Sequence, residues 1–152
     1  MRIIEGGANG SSFAFQQIDR TNYRNGVTHL LDFSCLVQGD VYDLEFQYKL
    51  EDEEGNPFVC DKTQDQGRSR CMDTALRLTN ADGSTWVLLR NDDFSDVVEN
   101  EFTSYHTQII VTSEMISSES VTLLMYGPDA GISLIFDSVR LYQTGGYQNF
   151  FP

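Results

Sequence analysis

The sequence of 152 residues is poor in basic residues, and this shortage excludes several functions. It has 10 Lys and Arg against 23 Asp and Glu, which gives a formal charge of −13. Because so acidic a surface repels phosphate groups, we expect neither nucleic-acid binding nor docking to an anionic membrane. The sequence also lacks an apolar run of about 18 residues, the length that a membrane-spanning helix needs, so we expect no membrane insertion.

Residues and motifs for common catalytic chemistry are equally scarce. The two histidines, His29 and His106, each lie within a predicted strand, which indicates structural rather than catalytic roles. We find no Gly-x-Ser-x-Gly elbow, no phosphate-binding loop and no dinucleotide fingerprint. Acidic pairs such as Asp92 and Asp93 would suit a small hydrolase, but a composition this acidic supplies them by chance. We interpret that segment first as a solvated loop and second as a calcium site.

Cysteine is limited to Cys35, Cys60 and Cys71. Cys60 and Cys71 flank a polar, glycine-containing loop, and a disulfide between them would be worth about 3 kcal/mol in the chain-entropy model. We predict this disulfide over three reduced thiols, which leaves Cys35 as the odd cysteine and favours an oxidising compartment. The spacing of the cysteines does not suggest zinc.

What the sequence does contain is a hydrophobic period of two residues. Tyr42, Leu44, Phe46, Tyr48 and Leu50 fall on one side of a predicted strand, and charged or amide residues fall between them. Further strands are predicted near residues 27–37, 58–60, 72–79, 85–90, 102–112, 121–126 and 132–142. With one helical turn at most, at 113–120, this pattern is typical of an all-β sandwich.

The sequence contains the aromatic and planar polar side chains that a sugar-binding site uses. A pyranose is held by a flat ring and by amide, carboxylate and guanidinium groups that form paired hydrogen bonds. Trp86, the single tryptophan, faces opposite to Val87 and Leu89, which favours an exposed indole. Because Leu88 shares its side, a core position for Trp86 is the alternative. The candidate carbohydrate-binding residues are Trp86, Arg20, Tyr23, Gln17, Arg90, Asn91 and Tyr105.

Four short segments match one family pattern. They are an early strand ending in Arg (Phe15–Thr21, then Gly26), a Gly-x-x-Tyr-x-Leu strand opening (Gly39–Leu44), a strand after an aromatic residue (Phe102–Thr112) and a closing strand with Asp before x-Val-x-Leu (Phe136–Leu141). In these segments the sequence resembles carbohydrate-binding modules of the family 4, 9 and 22 type. The resemblance covers most of the chain, from residue 13 to residue 142.

The resemblance implies a jelly-roll β-sandwich of two antiparallel sheets, the galactose-binding-like fold. It further implies a non-catalytic module that binds a polysaccharide or glycan and forms part of a larger secreted protein. In the family the closing Asp helps to hold a structural calcium, so Asp137 is the candidate metal ligand. The opening strand of the family is not found, which suggests that a neighbouring domain or a second copy supplies it.

We therefore expect an N-terminal extension at 1–12, the sandwich at 13–143 and a C-terminal tail at 144–152. The alternative function is a structural subunit of an extracellular filament, wall or surface assembly. In that case Cys35 would cross-link, and Tyr147, Phe150 and Phe151 of the tail would dock on a neighbouring copy.

Overall fold

The computed structural model describes residues 1–32, 36–60, 71–92 and 101–145. Within these ranges the chain forms nine strands, a short 3-10 turn at Ala8–Gly10 and the one-turn helix α1 at Ser113–Ser117. The strands are β1 Arg2–Glu5, β2 Phe13–Gln17, β3 Val27–Leu30, β4 Val41–Glu51, β5 Asp73–Thr79, β6 Thr85–Asp92, β7 Thr103–Ile110, β8 Ser120–Tyr126 and β9 Ser133–Gly145. None of the described helices is long and apolar enough to cross a membrane.

The strands form two antiparallel sheets. The five-stranded sheet has the order β1-β2-β9-β4-β7, and the four-stranded sheet has the order β3-β8-β5-β6. Each described strand pair is antiparallel. The predicted all-β sandwich is confirmed.

Strand β4 shows why the two sheets stack. Leu44, Phe46, Tyr48 and Leu50 are at most 2% exposed and project toward the four-stranded sheet, while the residues between them project outward. Burial of each such side chain stabilises the fold by roughly 1.5–3 kcal/mol. The period-two pattern of this segment therefore determines which face of the sheet forms the core.

Several strand boundaries differ from the prediction. Strand β3 ends at Leu30 rather than continuing to residue 37, and residues 33–35 lie outside the described residues. Residues 58–60 form no strand, because the pairing there is a single bridge between Pro57 and Glu51. The predicted helical turn at 113–120 is confirmed as α1.

The start of the chain also differs from the expected arrangement. Arg2–Glu5 pairs with β2 along its whole length, so the five-stranded sheet begins inside the residues assigned to an extension. A four-residue edge strand carries too little periodicity to be read from sequence, and its cross-strand partners supply the missing information. The division at residue 143 stays a prediction, since β9 runs to Gly145 and residues 146–152 lie outside the described residues.

The predicted disulfide between Cys60 and Cys71 is confirmed. Their Cα atoms are 5.1 Å apart, and both residues are buried in the core cluster next to Met72. The bond ties the segment after β4 to the start of β5 across residues 61–70, which lie outside the described residues, as does Cys35.

Candidate functional site

Arg20 is an internal anchor and not a sugar ligand, so that prediction is wrong. The residue is 4% exposed. Its guanidinium donates to four backbone carbonyls, those of Asn25 at 2.7 Å, Pro128 at 2.7 Å, Ile132 at 2.8 Å and Tyr23 at 3.1 Å. Burial lowers the pKa of Arg20, and the nearby Asp129 carboxylate acts in the opposite direction. The donors of the side chain are therefore committed to the loops around it.

Tyr105 is likewise not available as a platform. The alternation of β7 turns it between the sheets, where it is 4% exposed. Its ring stacks on Phe46 with centroids 4.5 Å apart, and its hydroxyl hydrogen-bonds Thr74 of the opposite sheet. The residue joins the two sheets, so its ring is not a platform, and any other contact with a sugar stays a prediction.

Trp86 lies on β6, an edge strand of the four-stranded sheet. It pairs with Leu78, whose side chain is fully buried, so the indole is directed to the inner side of the sheet and remains 37% exposed at the edge. Arg90 and Asn91 lie farther along β6, opposite Ala75 and Thr74. A sugar-binding role for Trp86, Arg90 and Asn91 stays a prediction.

Gln17 and Tyr23 lie around the loop between β2 and β3. The Nε2 group of Gln17 donates to the Gly26 carbonyl at 3.4 Å, while its Oε1 is buried and has no hydrogen-bond partner among the residues that the structure describes. Tyr23 makes an edge contact with Tyr126 at 6.4 Å, and its hydroxyl accepts from Arg24 at 2.8 Å. Since β3 and β6 are opposite edges of one sheet, these residues do not form one surface with Trp86.

The structure instead gathers polar side chains on the outer face of the five-stranded sheet, which is turned away from the other sheet. Glu45 of β4 lies between Arg140 of β9 and His106 of β7, and the next outward position places Asp43 between Tyr142 and Gln108. We call this surface the polar face. It consists of Asp43, Glu45, Gln47, Ser104, His106, Gln108, Arg140 and Tyr142.

Two hydrogen bonds order the polar face. His106 Nε2 lies 3.0 Å from Asp43 Oδ1, and the Tyr142 hydroxyl donates to Glu45 Oε1 at 2.7 Å. Desolvation raises the pKa of Asp43, but its hydrogen bonds, first that from His106, outweigh this and hold the pKa below its usual value. The hydrogen bond to Glu45 raises the pKa of Tyr142, so its phenol stays protonated at neutral pH.

A groove of about 310 Å³ lies over the polar face. It is lined by Asn9, Glu45, Phe46, Gln47, Ser104, Tyr105, His106, Ser138 and Arg140. Ser138 has a φ of 55° and occupies a bulge, since two residues of β9 stand opposite Phe46. The bulge shifts the register so that Arg140 comes to lie opposite Glu45.

Asp137 precedes this bulge and holds the loop that forms one wall of the groove. Its Oδ2 accepts from the Ala8 N–H at 2.9 Å, and its Oδ1 accepts from the Ser138 N–H at 2.6 Å. Across the described residues no three His, Cys, Asp or Glu side chains come together in a metal-binding group. Because calcium takes six to eight oxygens, the side chains described around Asp137 do not fit a calcium ion held by carboxylates. Calcium at this position stays a prediction.

The polar face contains functional candidates that the sequence reasoning missed. The alternation of β4 placed Asp43, Glu45 and Gln47 outside the core, which is the signal that was available. The sequence pattern predicts a structural role for His106, yet its side chain is 55% exposed and paired with Asp43. The cross-strand partners on β9 could not be found this way, because the bulge changes the register.

Comparison with known proteins finds solved structures with a similar fold but no family model or curated protein with a similar sequence. No family model matches the chain, and no curated protein matches it. The CBM22-2 xylan-binding domain from Paenibacillus barcinonensis is similar at 13% identity over 93% of this chain and 85% of that chain, with a TM-score of 0.66. The CBM22-1 and GH10 modules of a Clostridium thermocellum endo-1,4-β-D-xylanase, complexed with xylohexaose, match at 16% identity over 99% and 25%, with a TM-score of 0.62.

A third similar structure is an enzyme. A cyclase from Fischerella sp. TAU, in complex with 4-(1H-indol-3-yl)butan-2-one, matches at 16% identity over 90% of this chain and 66% of that chain, with a TM-score of 0.56. At such identities similarity establishes architecture, and activity has to be argued from the site. The chain therefore has the β-sandwich fold found in the family 22 carbohydrate-binding modules.

Proposed function

We propose that this protein is a non-catalytic carbohydrate-binding module that binds a polysaccharide on the polar face. The observation that carries the proposal is the ordered row of Tyr142, Glu45 and Arg140, in which Glu45 and Arg140 line an open groove and Tyr142 donates a hydrogen bond to Glu45. The groove lies on a sheet whose strands hold these side chains at fixed spacings. Sites built on strands in this way are preformed, and little ordering is needed when a chain of sugars is bound.

The chemistry of the row suits hydroxyl groups. A carboxylate such as Glu45 accepts two hydrogen bonds from neighbouring hydroxyls, and the guanidinium of Arg140 donates in pairs. Tyr142 is 40% exposed, which leaves part of its ring for contact with the C–H face of a pyranose. The groove is shallow, and we expect dissociation constants from about 1 μM to 1 mM.

The similar structures support a polysaccharide as the ligand and suggest which one to test first. One is named a xylan-binding domain, and another contains xylohexaose and is joined to a GH10 module. We therefore propose xylan-type chains as the first candidate ligand and a neighbouring catalytic domain as a partner. The disulfide agrees with a secreted, extracellular location.

The absence of catalysis is also part of the proposal. A general acid or base is usually buried enough to shift its pKa toward the working pH. His106, the histidine of the polar face, has a 55% exposed side chain, and its partner Asp43 has a lowered pKa. Both features favour a binding role over proton transfer.

Isothermal titration against xylohexaose, cello-oligosaccharides, mannan, galactan and mixed-linkage glucan tests the proposal. We expect binding to at least one of them, and a loss of about tenfold or more for Tyr142→Ala, equal to about 1.4 kcal/mol. Phe13→Ala is the matched control, because Phe13 is 59% exposed but lies off the polar face. The affinity of this variant for the glycan should stay within about twofold of that of the parent protein.

Three results would contradict the proposal. The first is an absence of heat with every glycan, and the second is an affinity that Tyr142→Ala leaves unchanged. The third is the appearance of new products when the oligosaccharides are incubated with the protein and separated by anion-exchange chromatography. This third result would assign an enzyme to the fold, as in the similar cyclase.

A further inference from the structure

A second groove, of about 530 Å³, lies on the outer face of the five-stranded sheet, at the end where β4 finishes. Glu51 is the last residue of β4, and the alternation of the strand directs it outward, as it does Glu45 and Gln47 of the polar face. On β9, Ser133 lies opposite Glu51. We call this the end groove, and its polar lining includes Arg2, Gln16, Asp19, Glu51, Glu53 and Ser133.

A row of hydrogen bonds crosses the sheet within the end groove. Arg2 Nε donates to Gln16 Oε1 at 2.8 Å, and Gln16 Nε2 donates to Glu51 Oε2 at 3.5 Å. The Lys49 ammonium lies 2.9 Å from Glu51 Oε1 and completes the row. Because Gln16 is only 5% exposed, its amide is held in place and fixes the spacing between the guanidinium and the carboxylate.

The two ends of this row keep hydrogen-bonding capacity for a ligand. In the described part of the chain only the Nε of the Arg2 guanidinium forms a hydrogen bond, so its terminal amino groups can donate to a pair of hydroxyls. Each carboxylate oxygen of Glu51 has one side-chain partner and can accept a further hydrogen bond. Paired donors beside paired acceptors suit the neighbouring hydroxyls of a sugar.

The walls of the end groove are ordered turns without an aromatic ring among the described residues that line it. Asp52 accepts from the Asn56 N–H at 2.7 Å and from the Asn56 amide at 3.0 Å, which holds the turn after β4. A flat ring is the part of a sugar site that contacts the C–H face of a pyranose. The end groove can therefore add hydrogen bonds to a sugar chain that is anchored elsewhere.

The distance from the polar face determines which chains reach the end groove. Glu45 and Glu51 are separated by about 20 Å, the length of six residues in a strand. Gln47 and Lys49 are the outward residues of β4 between them. One sugar chain lying along β4 would contact both grooves if it is longer than this separation.

The charge of the end groove favours a neutral chain. Its basic residues are Arg2 and Arg20, and the donors of Arg20 are committed to backbone carbonyls. Carboxylates outnumber them in the lining, which includes Asp19, Glu51, Asp52, Glu53 and Glu54. A polysaccharide that carries carboxylates of its own would be repelled, whereas hydroxyl groups are not affected by this charge.

We propose that the end groove is an accessory subsite that binds one part of a long, neutral polysaccharide whose remainder lies on the polar face, an inference that rests on the proposed function. Two contacts made by one ligand strengthen each other, because the second forms at a high effective concentration. Arg2 and Glu51 should therefore contribute to the affinity for long chains and not to the affinity for short ones.

Isothermal titration of the parent protein and of Arg2→Ala with xylotriose, xylohexaose, cellotriose and cellohexaose tests the proposal. A trisaccharide is shorter than the separation of Glu45 and Glu51, and a hexasaccharide is longer. Arg2→Ala should weaken the binding of the hexasaccharide by about three- to tenfold and change that of the trisaccharide by less than about twofold.

Arg77→Ala is the matched control. Arg77 is also an exposed arginine, but it lies on β5 in the four-stranded sheet, between the buried Leu76 and Leu78, and so faces away from both grooves. Its removal changes the net charge by the same amount and should leave the affinity for both chain lengths unchanged. Glu51→Gln is a second test variant, and it should weaken hexasaccharide binding selectively, as Arg2→Ala does.

The possible failures separate this proposal from the proposed function. Equal losses for the two chain lengths, or a loss in Arg77→Ala as large as that in Arg2→Ala, would overturn the accessory subsite. So would hexasaccharide affinities unchanged in Arg2→Ala and Glu51→Gln, and if Tyr142→Ala still weakens binding in that case, the proposed function stands. An absence of binding of every oligosaccharide by the parent protein would overturn both.

Discussion

At the scale of single residues, long polar side chains in this protein hold loops together, and Arg20 is the clearest case. Its four acceptors come from the loop after β2 and the loop before β9, so one side chain joins two segments about a hundred residues apart. The carbonyl of Arg20 also accepts from the Gly131 N–H at 3.1 Å. Buried carbonyls need donors, and only a guanidinium offers five in a fixed plane.

We expect Arg20→Lys to lower the free energy of unfolding by about 2–4 kcal/mol, because an ammonium cannot reach all four carbonyls and leaves some of them without a donor. Arg24→Lys is the matched control. The Arg24 guanidinium bonds Tyr23 in an exposed position, and its replacement should cost less than about 1 kcal/mol. Urea unfolding of both variants measures the difference, and equal losses would show that the Arg20 hydrogen bonds are not a main source of stability.

Asp137 carries a second prediction at this scale. Asp137→Asn should lower the free energy of unfolding by about 1–3 kcal/mol, since the amide cannot accept hydrogen bonds from both the Ala8 and the Ser138 N–H groups.

Melting curves of the parent protein and of Asp137→Asn, with excess EDTA and with added calcium, test the calcium expectation. A melting temperature that rises with calcium, and does so less in Asp137→Asn, would establish an ion there.

At the scale of elements, close approach between strands sets narrow limits on sequence. Gly26 precedes β3, and a Cβ at this position would collide with the Met125 carbonyl of β8. The disulfide acts at the same scale, because it fixes the entry into β5 at the centre of the four-stranded sheet. The Gly26 contact joins segments that are far apart in sequence, whereas the disulfide joins residues separated by 11 positions.

We expect reduction of the Cys60–Cys71 disulfide to lower the free energy of unfolding by about 3 kcal/mol, the chain-entropy value for a loop of this length. Chemical unfolding with and without dithiothreitol measures it. The double variant Cys60→Ala, Cys71→Ala serves as the control for side reactions of Cys35, and it should lose stability by a similar amount and become insensitive to the reductant. If dithiothreitol still lowers the free energy of unfolding of the double variant, the lost stability does not come from the Cys60–Cys71 disulfide but from another thiol.

At the scale of the whole molecule, the main feature is the large net negative charge. A net charge of −13 on 152 residues disfavours the compact state at neutral pH and is screened by salt. Several carboxylates are nevertheless held in their ionised form by hydrogen bonds. A side-chain hydrogen bond from Asn56 lowers the pKa of Asp52, and one from Ser84 lowers the pKa of Asp82.

These shifts give a pH dependence with a definite sign. A carboxyl whose folded pKa lies below its unfolded value of about 3.9 stabilises the fold above that pH, and this contribution is lost as the pH falls through the folded pKa. We therefore expect the free energy of unfolding to decrease below about pH 4. Asp52→Asn should reduce the slope in this range, and urea unfolding from pH 5 to pH 2 measures it. A slope unchanged by the substitution would contradict the role of the Asn56 hydrogen bond.

The amino-acid sequence alone determined the class of fold, most of the strands and the disulfide. These follow from local information: alternation along β4 separates the core side from the outer side, and two cysteines flank one short loop. Only the tertiary structure decided that Arg20 and Tyr105 are buried and that Glu45, Arg140 and Tyr142 share a face. Cross-strand neighbours depend on register, and one bulge at Ser138 changes which residues meet, so no pattern within a single strand contains that information.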